Sequence, residues 1–338
     1  MSDTMRAVEV PEAGAEFETV EKPIPEPGPE EVRIDVEACG VCHSDEMTKE
    51  GVYPRIEYPR VPGHEVVGRV DAVGDDVTEW EAGDRVGVGW HGGHCFTCDA
   101  CRRGDFINCE NAEVTGIDFD GGYAEYTVAP HEALAAVPDA LDAADAAPLL
   151  CAGITTFNAL RNSDARPGDL VAVQGVGGLG HLGIQYAAAA GFEVVALSRG
   201  TAKETQAREF GADHYVDTEA EEPAEALQRL GGAKVVLATA PSSAAIESVV
   251  GGLGTDGEVL AVGIPAEPVD VNVGALVGVR GSVSGWASGT ARDSQDTLEF
   301  SALRDVTPEI ETFDLADAGE AYERMLESDV RFRAVLTP

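Results

Sequence analysis

A short apolar run, a turn with four glycines and an alanine-rich stretch follow one another between residues 170 and 190. That succession limits the fold more than any other part of the chain. Leu170–Gln174 reads as a buried strand and residues 179–190 as a helix. Between them lies Gly175-Val176-Gly177-Gly178-Leu179-Gly180. Glycines at this strand-to-helix turn permit a tight bend and close backbone approach to a pyrophosphate at the helix N-terminus. The strand–turn–helix context is what gives the pattern its meaning.

The alternation continues downstream. Residues 194–197, 235–238 and 258–262 read as strands, with helices over 201–210 and near 244–250. Residues 279–283 are expected to close the sheet. Strands alternating with helices predict a doubly wound parallel sheet of the Rossmann kind, here over 153–287. The first 150 residues differ. Apolar runs at 32–38, Val66–Val73 and Arg85–Val88 are separated by glycine, proline and acidic turns, and predict a β-rich domain. Prolines at 23, 25, 27 and 29 predict an extended connector. A helix near 316–328 and a last strand at 334–336 form the tail. The tail is expected to rejoin the first domain, making 1–152 and 288–338 one domain; periodicity alone does not yield that return.

Six of the seven cysteines stand where metal ligands would be needed. Cys95, Cys98, Cys101 and Cys109 have the spacing C-x2-C-x2-C-x7-C, which suits four thiolates around a structural zinc. The surrounding lobe, about 90–113, has almost no apolar periodicity, so little else could order it. The bland alternative is four reduced cysteines in a loop. His91 and His94 beside the cluster read as loop residues, since four sulfurs already close the site. Cys42 (in Cys39-Gly40-Val41-Cys42-His43-Ser44-Asp45), His64 (in Pro62-Gly63-His64-Glu65) and Cys151 are each unremarkable alone. Together they offer two thiolates and an imidazole, which would leave a fourth position on a catalytic zinc for water or substrate. Cys39 reads as a core residue.

An acid at the end of the second strand of such a sheet would bind the ribose 2′-hydroxyl. This chain has Ser198-Arg199 there, and Lys203 shortly after. A hydroxyl and two cations suit a 2′-phosphate, so NADP(H) is expected over NAD(H), with NAD(H) still admissible. The alternative is that Arg199 is a solvated loop charge.

The charge is extreme: 61 acids against 23 bases, a net of −38, with only four lysines. In dilute buffer such a surface repels itself. At roughly 1 M salt the Debye length is about 3 Å and the repulsion is screened. The composition therefore reads as adaptation to a salt-rich cytosol. It makes nucleic acid and anionic membranes poor partners. No apolar run of about eighteen residues predicts a membrane span. A start without an apolar leader, and clustered cysteines at metal spacing, lead to the expectation of a reducing cytoplasm.

With these motifs in this order, the chain resembles the zinc-dependent medium-chain alcohol dehydrogenases, nearly end to end. The resemblance implies a GroES-like catalytic domain joined to a Rossmann domain, two zinc ions per chain, and a homodimer or homotetramer. It implies that Cys42, His64 and Cys151 hold the catalytic zinc, and that Glu65 lies near it and can transiently ligate it. Asp45 resembles the carboxylate that orients His64, and Ser44 the hydroxyl that takes the alcohol proton. His43 and Arg333 resemble pyrophosphate contacts, and Thr155 a neighbour of the nicotinamide. Trp90 reads either as a wall of the substrate pocket or as a core aromatic. One departure stands out. Many relatives place a proton-relay histidine five residues after the first zinc cysteine, and this chain has Met47. The implied reaction is reversible hydride transfer between an alcohol and NADP(H), with an aldehyde or ketone as the other substrate. An NADPH-dependent aldehyde reductase or a polyol or sugar dehydrogenase is the near rival. A zinc-free quinone reductase and a non-catalytic zinc or redox sensor are rivals of other classes.

Overall fold

The computed structural model describes residues 4–338; Met1–Asp3, the first part of the segment read as lacking a leader, lie outside the described residues. Two compact units are present, Met1–Cys151 with Gly289–Pro338, and Ala152–Ser288.

The first unit is built on a seven-stranded sheet. In order across it run Ile310–Asp314, Arg333–Thr337, Glu31–Val41, Val66–Val73, Arg85–Val88 and Leu134–Ala136, while Tyr126–Pro130 also pairs with Glu31–Val41. The long strand Glu31–Val41 buries Val32, Ile34, Val36 and Ala38 in alternation, as a pleated strand with one core face must. The C-terminal strand lies antiparallel to it, with Ala334 opposite Val41 and Leu336 opposite Cys39. Consequently the residues just beyond Val41, the start of Val66–Val73 and the start of Arg333–Thr337 converge on one edge of the core. A separate ribbon, His91–Gly93 with Glu113–Val114, closes the cysteine lobe.

The second unit is a six-stranded sheet in the order His214–Asp217, Glu193–Ser198, Leu170–Gln174, Ala233–Ala238, Leu253–Ala261, Ser282–Gly285. Every neighbouring pair is parallel. The chain starts at Leu170–Gln174, winds outward one way, then crosses to Ala233–Ala238 and winds the other way. Strand order therefore reverses beside the glycine turn, the place where open parallel sheets bind ligands. Gly180 is required here, because a Cβ on it would lie 1.8 Å from the Gly175 carbonyl oxygen. The expected α/β class, with a doubly wound parallel sheet, is what the structure has.

One element differs from expectation. The strand expected at 279–283 is shorter and later, Ser282–Gly285, and the helix Val273–Val279 precedes it. No element is expected within the run Val-Gly-Ala-Leu-Val-Gly-Val before residue 279. However, the Asn272 side chain accepts from the Ala275 N–H and starts a helix, and Arg280 ends it in the left-handed region. No single helix among the described residues is long and apolar enough to cross a membrane.

Candidate metal and cofactor sites

Cys42 leaves the end of Glu31–Val41 and opens a turn, His43–Asp45. Asp45 is the hub of this corner. Its Oδ2 accepts from the Cys42 backbone N–H and from the Tyr123 hydroxyl, both at 2.9 Å. Burial beside Asp45 pushes the Tyr123 phenol up, which keeps it a donor. The Asp45 Oδ1 lies 2.9 Å from His64 Nδ1. With Nδ1 engaged, His64 turns Nε2 inward, where it is buried without a partner. The Cys42 and Cys151 sulfurs are 3.7 Å apart. Ligand atoms of Cys42, His64, Glu65 and Cys151 all lie within 4.8 Å of one another. Gly40 makes the room, since a Cβ there would meet Glu65 Oε2 at 1.8 Å.

Burial and close pairing set the electrostatics of this corner. Its hydrogen bond with Cys151 holds the Cys42 thiol well below the ordinary range, and the same bond, with burial, pushes Cys151 well above it. Burial raises Glu65 to about 7 even though Arg333 opposes it. Two sulfurs, an orphan imidazole nitrogen and the orphan Glu65 Oε2 form a buried donor set, with the Arg333 guanidinium paired to the other Glu65 oxygen. That donor set fits a divalent zinc, whose charge would deprotonate both thiols.

Several other expected residues are placed as follows. Arg333 is buried and its guanidinium pairs with Glu65, leaving Nε without a partner. His43 is exposed, with Nε2 3.1 Å from Glu46 Oε2. Ser44 and Met47 are half-buried on the same turn. Trp90 sets its ring edge-on to His64, with centroids 5.0 Å apart. Thr155 is buried in the helix Ala152–Arg161 of the second unit. No local pattern marks Tyr123 as the second brace on Asp45, because 78 positions separate the two.

Cys95, Cys98, Cys101 and Cys109 also bring their sulfurs within 4.8 Å of one another. Backbone N–H groups point at the sulfurs, from Cys98 to Cys95 at 3.4 Å, from Cys101 to Cys98 at 3.5 Å and from Asn111 to Cys109 at 3.3 Å. Hydrogen bonds, led by that from Thr97, bring Cys95 down to about 5, whereas burial among its neighbours pushes Cys101 up to about 12. Four converging sulfurs with amide donors behind them fit a closed tetrahedral zinc site.

His91 and His94 beside this cluster are more constrained than loop residues. All four ring nitrogens are buried without partners, and the rings stand 5.2 Å apart. Burial, reinforced by His94, lowers His91 to about 4. An unfolded histidine protonates near 6.5, so folding with a neutral His91 loses stability as pH falls from about 6.5 toward 4. The loss should reach about 3 kcal/mol. Denaturant unfolding across that range should show a flatter pH slope for His91→Gln than for the parent. Equal slopes would mean His91 is hydrated and titrates normally.

In the second unit the Gly175 N–H bonds the Leu197 carbonyl at 2.9 Å, tying the glycine turn to the neighbouring strand. Ser198 ends that strand, and Arg199 is exposed. Lys203 reaches back instead of outward, and its Nζ donates to the Val176 carbonyl at 2.6 Å.

Comparison with known proteins agrees with this geometry. Residues 28–139 match the alcohol dehydrogenase GroES-like domain, and residues 178–303 match the zinc-binding dehydrogenase family. The alcohol dehydrogenase patD of Penicillium expansum is 47% identical over 96% of this chain and 95% of its own. A cinnamyl alcohol dehydrogenase structure from Sorghum bicolor superposes with a TM-score of 0.88 at 30% identity, covering 99% of this chain and 97% of that one. A CAD structure from Helicobacter pylori complexed with NADP(H) has a TM-score of 0.88 at 27% identity, covering 100% of this chain and 99% of that one.

Proposed function

The chain belongs to the zinc-type alcohol dehydrogenases of the medium-chain family, NAD(P)-dependent enzymes, and from that premise we propose how its own residues divide the work. Cys42, His64 and Cys151 would hold a catalytic zinc, and Cys95, Cys98, Cys101 and Cys109 a structural one, two ions per chain. The observation that carries this reading is the orphan His64 Nε2 aimed into a sulfur pair. When bound, the zinc supplies a Lewis acid for an alcohol or carbonyl oxygen, and the nicotinamide supplies the acceptor or donor of hydride.

Asp45 fixes the His64 tautomer by accepting a hydrogen bond from Nδ1–H, so that Nε2 presents its lone pair. Ser44, on the same turn as Cys42, takes the alcohol proton through its hydroxyl. Past Ser44 the proton needs another acceptor, because Met47 carries none. Glu65, held by Arg333, lies within reach of the same metal position and would offer it a further carboxylate ligand. Trp90, packed on His64, would form a wall of the substrate site. The substrate is an alcohol in one direction and an aldehyde or ketone in the other. A reductase working mainly from NADPH is the second reading. The test is elemental analysis with activity on an alcohol series, before and after chelation. Two zinc ions per chain and activity lost with the first ion removed are expected; full activity in zinc-free protein would point to quinone-reductase chemistry.

NADP(H) is the preferred cofactor in this reading. Ser198, Arg199 and the absence of an acid at the strand end support it, as does the NADP(H)-bound relative. Ser198→Asp combined with Arg199→Ala should reverse the ratio of kcat/KM values for NADP+ and NAD+. About tenfold or more should be lost for NADP+, since a charge-assisted bond becomes a repulsion. An unchanged ratio would sink this preference.

A second copy of the chain is proposed as partner. Ser282–Gly285 ends the strand order of its sheet, and the helix before it exposes Val273 and Val277. The acidic surface is read as fitted to a salt-rich cytoplasm, with activity rising as KCl is added.

A further inference from the structure

The turn after Glu193–Ser198 is held from behind by the next strand, His214–Asp217, and three bonds do it. The Gly200 N–H donates to Asp217 Oδ1 at 2.7 Å. The Tyr215 hydroxyl donates to the Gly200 carbonyl, also at 2.7 Å. The Thr218 N–H donates to the Ser198 carbonyl at 3.0 Å. Gly200 itself sits at φ +62, a left-handed conformation that glycine adopts without strain. Asp217 is oriented by a second donor, the Glu219 N–H, at 2.9 Å on the same oxygen. The far end of the turn is tied as well, because Lys203 bonds the Val176 carbonyl of the glycine turn. Between these anchors, Arg199 is exposed, and among the described residues no acid pairs with it.

A carboxylate beside a phosphate subsite would ordinarily work against phosphate. Here two backbone N–H groups take up one oxygen of Asp217, and what they fix is the path of the Ser198–Gly200 backbone. A rigid turn presents the Ser198 hydroxyl and the Arg199 side chain from one direction. A loose turn would leave both to sample solvent.

We propose that Asp217 and Tyr215 are positioning residues for cofactor selection: they brace the Ser198–Gly200 turn so that it receives the adenosine 2′-phosphate. This rests on the NADP(H) preference proposed above. Neither residue need touch the phosphate, so the effect should fall on NADP(H) and spare NAD(H).

The experiment compares Asp217→Ala, Asp217→Asn, Tyr215→Phe and Arg199→Ala in the zinc-loaded enzyme. Steady-state constants are measured with NADP+ and with NAD+, and calorimetry gives the dissociation constants of 2′,5′-ADP and 5′-AMP. Asp217→Ala should raise KM for NADP+ and Kd for 2′,5′-ADP about tenfold, with kcat, KM for NAD+ and Kd for 5′-AMP within about twofold. Asp217→Asn should restore most of the loss, because its amide oxygen still accepts from Gly200. Tyr215→Phe should fall between. Equal losses for both cofactors would overturn the proposal, as that is general destabilisation. A lower KM for NADP+ in both Asp217 variants would also overturn it, since the carboxylate would then be a repeller. If Arg199→Ala weakens NADP+ while Asp217→Ala does not, the brace alone fails. If the parent shows no preference for NADP+, the cofactor reading fails and the brace falls with it.

Discussion

Replacing His64 by alanine is expected to lower kcat by about 10⁴-fold or more and to remove one zinc per chain, with secondary structure retained. Two losses add. Only two sulfurs would remain from the three-ligand set, too few to hold a divalent ion in an open tetrahedral site. Without the ion, the Lewis-acid stabilisation of the reacting oxygen, worth several kcal/mol, is gone. A factor of 10⁴ corresponds to about 5 kcal/mol of barrier. Asp45 would keep Cys42 and Tyr123 as donors, so the corner has reason to stay folded. Asp45→Asn is the graded companion. It preserves the shape but weakens the hold on Nδ1, and about 10- to 100-fold in metal affinity or activity is the expected cost. The measurements are turnover at saturating alcohol and zinc content per chain. A His64→Ala enzyme that turns over at the parental rate with its metal intact would remove His64 from the site.

The halves of this molecule were unequally legible. Leu170–Gln174 and the glycine turn follow from local pattern, because a fully buried strand and a left-handed glycine leave their marks on consecutive residues. The helix Val273–Val279 was not legible by composition. No helix is expected over its valines and glycines, and the Asn272 side chain caps its start. The site divides the same way. Residue type alone marks Cys42, His64 and Cys151 as able to bind metal, but their convergence depends on two strand ends and the turn between Ala147–Leu150 and Ala152–Arg161 meeting in space. The contacts that tune them are further away still. Arg333 and Glu65 are 268 positions apart, and the pairing of Arg333–Thr337 with Glu31–Val41 brings them together. Nothing local announces such a pair, because both residues would be ordinary surface charges in another fold. The brace on Ser198–Gly200 was invisible for the same reason: Tyr215 and Asp217 reach it only through parallel register.

Cys101→Ser should produce the largest effect on stability. The lobe around it has little apolar burial of its own: its short helix Asp99–Arg102 buries only Ala100 and Cys101, and the turn Phe106–Asn108 buries nothing. What orders it is the sulfur cluster. Cys98 caps the helix through its sulfur, which accepts from the Cys101 N–H, and the other sulfurs accept amides in turn. A structural zinc contributes roughly 10–16 kcal/mol to folding in small zinc peptides, so four thiolates could outweigh the ordering entropy of a segment this size. Serine is a poor zinc ligand, and a hydroxyl at this buried position leaves three thiolates crowded without their cation. The Cys101→Ser lobe should lose its zinc and open while the catalytic ion stays. Arg102 and Arg103 are exposed and adjacent, so trypsin should cut there far faster in the variant than in the parent. Zinc content should fall from two to one per chain, and the melting temperature should fall with it. Retention of trypsin resistance after the loss of that one ion would show that the lobe is held by packing, with the metal incidental. The stacking of His94 on Phe106, with ring centroids 4.1 Å apart, is the contact that would then have to carry it. Such a pair is worth only about 1 kcal/mol. The metal is therefore the stronger candidate by an order of magnitude.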